Sequence, residues 1–126
     1  MLKPITTALF IAILALSMSS CVTNSQEKIP TVNLGPPVYY KSETVEQFVA
    51  KYGSLSDGSL NFVKLKMPDG QEYTLPQAIS GSGARYTDDR SIVWWEHHGT
   101  VRVDVRDSEG KWKTKYSELK KLQKRN

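Results

Sequence analysis

The chain has 126 residues and a formal net charge of +4; 39% of the residues are hydrophobic and 24% are charged. This composition is typical of a globular domain and excludes a disordered chain. About 85 residues remain for a fold once the export signal and linker predicted below are subtracted, enough for one small core. The length therefore excludes two domains and a large catalytic scaffold, and the mild positive charge indicates no particular partner.

The first twenty residues have the layout of a secretory signal. Lys3 supplies a positive charge, and residues 5–18 form an apolar run that is shorter than the roughly 20 residues of a spanning helix. Residues 18–21, Met-Ser-Ser-Cys, resemble the lipobox of bacterial lipoproteins, in which the cysteine is acylated. We therefore predict a signal peptide over residues 1–20 and lipidation of Cys21; the alternative is a plain signal peptide that leaves this cysteine as an unpaired thiol.

The residues after the cysteine indicate to which membrane the protein is sorted and how far the domain can lie from the lipid. By resemblance to lipoprotein sorting, Val22 in place of an aspartate predicts the outer membrane and a domain that faces the periplasm. Residues 22–41 contain three prolines and few large apolar residues, so we predict a tether that reaches at most roughly 65 Å. The folded domain is then predicted over residues 42–117, with a first strand from residue 38 as the alternative, and residues 118–126 form a basic tail.

Five segments of the domain have the pattern of short strands, with apolar and polar residues in alternation or with β-branched and aromatic residues in succession. They are residues 60–67, 72–75, 92–96, 101–106 and 111–116. In the last of them, Trp112, Thr114 and Tyr116 are predicted to face inward. Turn signals separate the segments, and short strands at this spacing predict an antiparallel barrel or sandwich.

Two segments are ambiguous. Apolar side chains at helical spacing in residues 44–53 favour a helix, with Thr44 and Gly53 as its caps, while a strand over residues 47–52 is the alternative. For residues 117–126 we predict a short frayed helix or a disordered tail.

The residue types that could carry catalysis or bind a metal do not form a known pattern. Ser82 lies between two glycines, but the positions two before and two after it are serine and alanine, so it is not a nucleophile elbow. His97 and His98 would point to opposite faces of a strand, and Asp88 and Asp89 fit a turn. We therefore predict no enzymatic activity, no metal and no cofactor.

Neighbouring tryptophans distinguish the inside of the domain from its surface. Trp94 and Trp95 would project to opposite faces of one strand, so one belongs to the core and the other lies on the surface or under the Ser82 loop, where it could anchor a contact. The lysines of residues 111–115 are interleaved with aromatic residues, but export argues against nucleic-acid binding, and we predict no nucleic-acid partner.

Two motifs resemble those of a known family. Residues 80–86, Ser-Gly-Ser-Gly-Ala-Arg-Tyr, and residues 93–99, which contain Val-Trp-Trp and end in glycine, resemble the Ser-Ala-Ser-Gly-Ala-Arg-Tyr and Phe-Trp-x-Lys-Gly motifs of the membrane-bound inhibitors of c-type lysozyme. The resemblance covers roughly residues 38–117. It implies a small antiparallel β-barrel of about eight strands and thereby favours the strand over residues 47–52.

The resemblance also implies a function. In the family, a loop enters the lysozyme cleft, and a serine and a lysine of the inhibitor engage the two catalytic carboxylates. The serine falls on Ser82, and counting back from Gly99 places the lysine at His98, although no lysine stands there; the family's cysteine pair is also absent. The implied lysozyme-binding residues are Ser82, Gly83, Arg85, Tyr86, Trp95 and His98.

The sequence thus predicts a periplasm-facing lipoprotein of the outer membrane that inhibits c-type lysozyme and is held to the membrane through the lipid on Cys21. The alternative is a non-inhibitory envelope lipoprotein that binds cell-wall glycan or an envelope protein.

Overall fold

A computed structural model of the protein describes residues 26–123. These residues form nine β-strands and no helix, and hence no helix long and apolar enough to span a membrane. The strands are β1 Val32–Leu34, β2 Val38–Lys41, β3 Gln47–Leu55, β4 Asn61–Lys66, β5 Glu72–Ala78, β6 Ala84–Thr87, β7 Ile92–His97, β8 Thr100–Arg106 and β9 Trp112–Lys121.

The strands pair antiparallel throughout and close into a barrel. Each strand from β2 to β9 pairs with the next along the chain, and β9 pairs with β2, so eight strands form a closed ring. β1 adds only to the end of β3, where Leu34 is opposite Gly53. The predicted fold, a small antiparallel barrel of about eight strands, is therefore confirmed.

Large side chains fill the interior of the barrel. Trp94 and Phe48 are fully buried, with 6.3 Å between their ring centroids, and the edge of one ring in the Tyr40–Trp94 pair meets the face of the other at 5.3 Å. An eight-stranded barrel is just wide enough to be filled by side chains. The inner tryptophan of the predicted pair is thus Trp94, and it holds opposite walls of the barrel together.

The helix that local spacing favours over residues 44–53 is not formed, and the strand over residues 47–52, which the family resemblance favours, is confirmed by β3. β3 buries Phe48 and Ala50 completely on its inner face, which is the period of two that a strand requires. Spacing alone did not distinguish the two patterns, because Val45, one of the apolar residues that suggested a helix, lies exposed in the turn before β3.

The end of the chain was also predicted incorrectly. β9 continues to Lys121 and buries Leu119, so residues 117–121 are neither a frayed helix nor a disordered tail. Trp112 is 39% exposed and lies under the guanidinium of Arg106, and Thr114 is exposed as well, so neither faces inward as predicted. The register between β8 and β9 shifts twice between Val101 and Asp104, and such bulges change which residues face the core.

The alternative of a first strand from residue 38 is confirmed by β2, and β1 begins earlier still, at Val32. Both strands lie within residues 22–41, the segment predicted as a tether. The signal peptide and Cys21 lie outside the described residues.

Asp88 has the turn role that the sequence predicted. Its Oδ1 accepts hydrogen bonds from the backbone N–H groups of Arg90, Ser91 and Ile92, and its Oδ2 accepts one from the Ser91 hydroxyl. Partial burial alone would raise the pKa of Asp88, but these hydrogen bonds outweigh it and hold the pKa well below the ordinary value of an aspartate. The carboxylate therefore fixes the turn between β6 and β7.

Val45 provides a test of backbone strain. It lies in the turn between β2 and β3, is 80% exposed and has a φ of 68°, a conformation that is costly for a β-branched residue and mild for asparagine. We expect Val45→Asn to raise the free energy of unfolding by about 1 kcal/mol, measured by urea denaturation. Val32→Asn, at an exposed valine in a strand, should bring no gain; equal effects of the two substitutions would contradict the explanation.

Candidate functional site

Two connections meet at one end of the barrel. The loop between β5 and β6 spans residues 79–83, and the turn between β7 and β8 consists of His98 and Gly99. Both turn residues have positive φ, 50° and 78°, as in the two-residue turns that join tightly paired strands. Because β6 pairs with β7 through Ala84 and Glu96, the loop lies directly beside the end of β7.

Hydrogen bonds fix the position of Ser82 at the exposed side of the loop. Its Oγ lies 2.8 Å from Nε2 of His97, and its carbonyl oxygen accepts hydrogen bonds from Nε1 of Trp95 at 3.0 Å and from Oγ of Ser80 at 2.5 Å. Three contacts thus hold one residue, so the loop is ordered before any partner binds.

Gly83 lets the loop pack closely on β7. Its φ is 68°, and a Cβ atom at this position would lie 2.0 Å from the carbonyl oxygen of Glu96 and 3.2 Å from Cδ2 of His97. Only glycine fits both the conformation and the space. The loop therefore packs directly on the carbonyl group of Glu96.

The outer face of β7 supports the loop. Trp95 is half-buried, as expected for a tryptophan under the Ser82 loop, and the guanidinium of Arg102 covers its ring at 4.6 Å. Asp104 accepts hydrogen bonds from this guanidinium at 3.0 and 3.1 Å. A groove of about 420 Å³ lies between Trp95, Arg102, Ser82 and the two histidines.

The inner face of β7 carries a polar cluster, which consists of Glu96, Tyr40 and Tyr52. One carboxylate oxygen of Glu96 accepts hydrogen bonds from the hydroxyl of Tyr40 at 2.6 Å and from that of Tyr52 at 2.5 Å. Burial, and after it the hydrogen bond to Glu96, raises the pKa of both tyrosines well above the ordinary value. Both hydroxyls therefore keep their protons and remain donors.

Comparison with known proteins identifies the family. The family described as membrane-bound lysozyme-inhibitor of c-type lysozyme matches residues 40–112. The chain belongs to this family. No individually curated protein matches it at a significant level. The family's description indicates an inhibitor of c-type lysozyme that is bound to a membrane, and not an enzyme.

The barrel of this lysozyme-inhibitor family member brings together only some of the residues implied by its motifs. Ser82, Gly83 and Trp95 form one contiguous site. Arg85 is paired with Trp95 across β6 and β7, and its guanidinium lies 3.4 Å from Oδ1 of Asp89. Each of these four residues is in or next to the loop.

Tyr86 has a different place. It is 8% exposed, and its ring packs at 5.7 Å from that of Tyr52 inside the barrel. The motif tyrosine therefore belongs to the core of this inhibitor-family barrel, and little of it is exposed to a partner.

His97, and not His98, is the histidine beside Ser82. His98 is exposed in the turn, and its ring centroid lies 3.8 Å from that of His97. Counting back from Gly99 placed the motif lysine at His98, but the alternation along β7 puts Trp95 and His97 on the same outer face. If Trp94 is assigned to the core, alternation along the strand puts Trp95 and His97 on the outer face. This was the sequence signal that could have identified His97.

Among residues 26–123, no group of three or more histidine, cysteine, aspartate and glutamate side chains could hold a metal ion.

Gly83→Ala tests the packing of the loop. Since the new methyl group would meet the backbone of Glu96, we expect a loss of about 1–3 kcal/mol in the free energy of unfolding, measured by urea denaturation. Gly81→Ala is the matched control, because no atom lies within 4 Å of a Cβ there, and it should change stability by less than about 0.5 kcal/mol. Equal stability of the two variants would show that the loop does not rest on β7 as described.

Proposed function

We propose that the protein is an outer-membrane lipoprotein that faces the periplasm and inhibits c-type lysozyme by inserting the loop of residues 79–83 into the active-site cleft. The observation that carries the proposal is the exposed hydroxyl of Ser82, held 2.8 Å from an imidazole nitrogen of His97. Family membership supports lysozyme as the target.

The pair of Ser82 and His97 suits a cleft that contains two carboxyl groups, as glycosidases have. When His97 is protonated, its Nε2 donates to Oγ of Ser82, and the serine proton is free to point to the partner. The hydroxyl can then donate to one carboxylate while the imidazolium supplies positive charge beside it, and such charge-assisted hydrogen bonds are the stronger kind. Neutral imidazole that accepts the serine proton would offer neither.

The order of the loop favours tight binding. Ser82 is held by Trp95, His97 and Ser80 before association, so little conformational entropy is lost when a partner binds. Ile79, at the start of the loop, is fully exposed. Burial of an isoleucine side chain in an interface removes apolar surface from water and adds to affinity.

The orientation of Trp95 gives less support to the alternative of glycan binding. Sugar rings commonly stack on an open aromatic face, whereas the guanidinium of Arg102 covers one face of Trp95 and the indole N–H is bonded to the carbonyl of Ser82. Trp95 therefore serves to support the loop, as the inhibitory hypothesis requires, rather than to stack on a sugar ring.

Thr31, ten residues after the proposed anchor, lies at the barrel end that carries the loop. Thr31 and Ser56 exchange hydrogen bonds, and the turn after Ser56 lies at the same barrel end as residues 79–83, because β4 and β5 are antiparallel neighbours. The ten residues from Cys21 to Thr31 span at most roughly 35 Å. A lipid on Cys21 would hold the loop end of the barrel toward the anchoring membrane.

Substitutions in the loop test the mechanism. We expect Ser82→Ala and His97→Ala each to cost about 1–3 kcal/mol of binding, which is roughly a five- to 150-fold rise in the inhibition constant. Ser108→Ala, at an exposed serine in the turn between β8 and β9 at the other end of the barrel, is the matched control and should have little effect. Inhibition constants for c-type lysozyme, measured with soluble domains on cell-wall substrate, give the comparison.

The same assay tests whether a positive charge beside Ser82 strengthens binding. A lysine cation at position 97 can pair with a carboxylate of the cleft, so His97→Lys should inhibit more strongly than the uncharged His97→Gln. Should the parent protein at micromolar excess leave lysozyme activity unchanged, the inhibitory hypothesis fails and the alternative of a glycan- or protein-binding lipoprotein takes its place.

Lipidation is tested separately. Cys21→Ala should abolish incorporation of labelled palmitate and move the protein from the outer-membrane fraction to the soluble envelope fraction, because two or more acyl chains are what give stable anchoring. Ser20→Ala, next to the cysteine, should keep both properties. A Cys21→Ala protein that stays with the membrane as firmly as the parent would refute the proposed anchor.

A further inference from the structure

The polar cluster inside the barrel joins the neighbouring strands β2 and β3 to β7 on the far side of the ring. Tyr40 lies on β2, Tyr52 on β3 and Glu96 on β7, and the hydroxyls of the two tyrosines are 3.1 Å apart. Nε1 of Trp94 donates to the hydroxyl of Tyr52 at 3.1 Å. Glu96 thus links β7, the strand beside the loop, to β2 and β3 across the interior of the barrel.

Glu96 is held by hydroxyl groups and not by cations. The ion pairs found among residues 26–123 involve other carboxylates, and no buried side-chain polar atom in that range is left without a partner. A partly buried charge is tolerated only when it is hydrogen-bonded, and a well-packed apolar residue would stabilise a barrel at least as well. The carboxylate instead fixes a position, because short hydrogen bonds from the hydroxyls of Tyr40 and Tyr52 determine where the Glu96 side chain and its backbone lie.

The backbone of Glu96 is also the support of the proposed inhibitory loop. Its carbonyl group lies under Gly83, and its register partner is Ala84, at the end of the loop. The residues on either side of it, Trp95 and His97, are two of the three that bind Ser82. A rotation of the Glu96 backbone would therefore displace the carbonyl group under Gly83 and, with it, the side chains of Trp95 and His97.

We propose that Glu96 is a positioning residue, whose hydrogen bonds to Tyr40 and Tyr52 set the backbone of β7 so that His97 and Trp95 hold Ser82 in its binding geometry. The proposal rests on the proposed function for its consequence, since it assigns Glu96 to the preparation of the lysozyme-binding loop. The cluster itself does not contact the partner.

Glu46 provides a matched control for a purely structural carboxylate. It accepts hydrogen bonds from Thr44 at 3.1 Å and from the hydroxyl of Tyr116 at 3.3 Å. It lies before β3, in the turn at the opposite end of the barrel from the loop. Glu46 thus has the same chemistry as Glu96 and no contact with residues 79–83.

The test reads the Ser82–His97 contact directly, by NMR of the His97 imidazole nitrogens in the protein without lysozyme. We expect Glu96→Ala to shift these signals in the direction of those in Ser82→Ala, while Glu96→Gln, which keeps an acceptor in place, stays close to the parent. Glu46→Ala should leave them unchanged. Parent-like His97 signals in a folded Glu96→Ala protein would overturn the proposal.

Inhibition is the second readout. Misplacement of a binding group by a fraction of an ångström to 1 Å has large effects, so Glu96→Ala should raise the inhibition constant by about tenfold or more and Glu96→Gln by less than about threefold. If Glu96→Ala does not fold, Tyr52→Phe, which removes one of the two donors, takes its place, and an unchanged His97 spectrum in that variant would overturn the proposal.

The two proposals can fail independently. Altered His97 signals in a protein that never inhibits lysozyme would support the positioning role and refute the proposed function. Strong inhibition by a parent protein whose His97 signals do not respond to Glu96→Ala would do the reverse.

Discussion

The barrel depends on a narrow contact, the pairing of β2 with the last residues of β9. Tyr40 is opposite Lys121 and Lys41 is opposite Lys120, and the N–H of Leu122 donates to the carbonyl of Tyr39 at 2.8 Å. Without this contact the ring would open into a sheet with two exposed edges. The only cysteine is Cys21, so no disulfide can form within the chain, and closure depends on strand pairing and on the aromatic side chains that fill the interior.

Strand β7 connects this closure to the site, because its side chains alternate between the two faces. Trp94 and Glu96 point inward and contact Tyr40 and Tyr52 of the closing wall, while the residues between and after them point outward and hold the Ser82 loop. A six-residue strand thus carries both the centre of the core and the platform of the candidate site. Changes in packing near β2 can therefore reach the loop through a few well-defined hydrogen bonds.

Much of the fold could be predicted from the sequence, since alternation in β4 and β8 and the β-branched and aromatic residues of β7 are local properties of the chain. The errors occurred where long-range contacts decide. Residues 44–53 have apolar spacing that fits a helix, but burial of Phe48 and Ala50 in the barrel requires a strand. The basic residues near the C-terminus suggested a tail, yet Leu119 fills a place in the core and the lysines beside it pair with β2. Neither contact has a signal in the nearby sequence.

The candidate site shows the same division. The motif around Ser82 is local, and its loop, its glycine and its supporting tryptophan were found from it. The role of Glu96 could not be found, because its partners Tyr40 and Tyr52 are 56 and 44 positions away in the chain. The motif lysine was assigned by counting to a glycine, whereas the barrel selects the histidine by the face on which it lies. An imidazole in that place lies 2.8 Å from the serine hydroxyl, so the geometry of β7 fixes where that hydroxyl lies. The hydrogen bonds of Glu96 beneath β7 therefore bear on the loop more than the motif alone suggests.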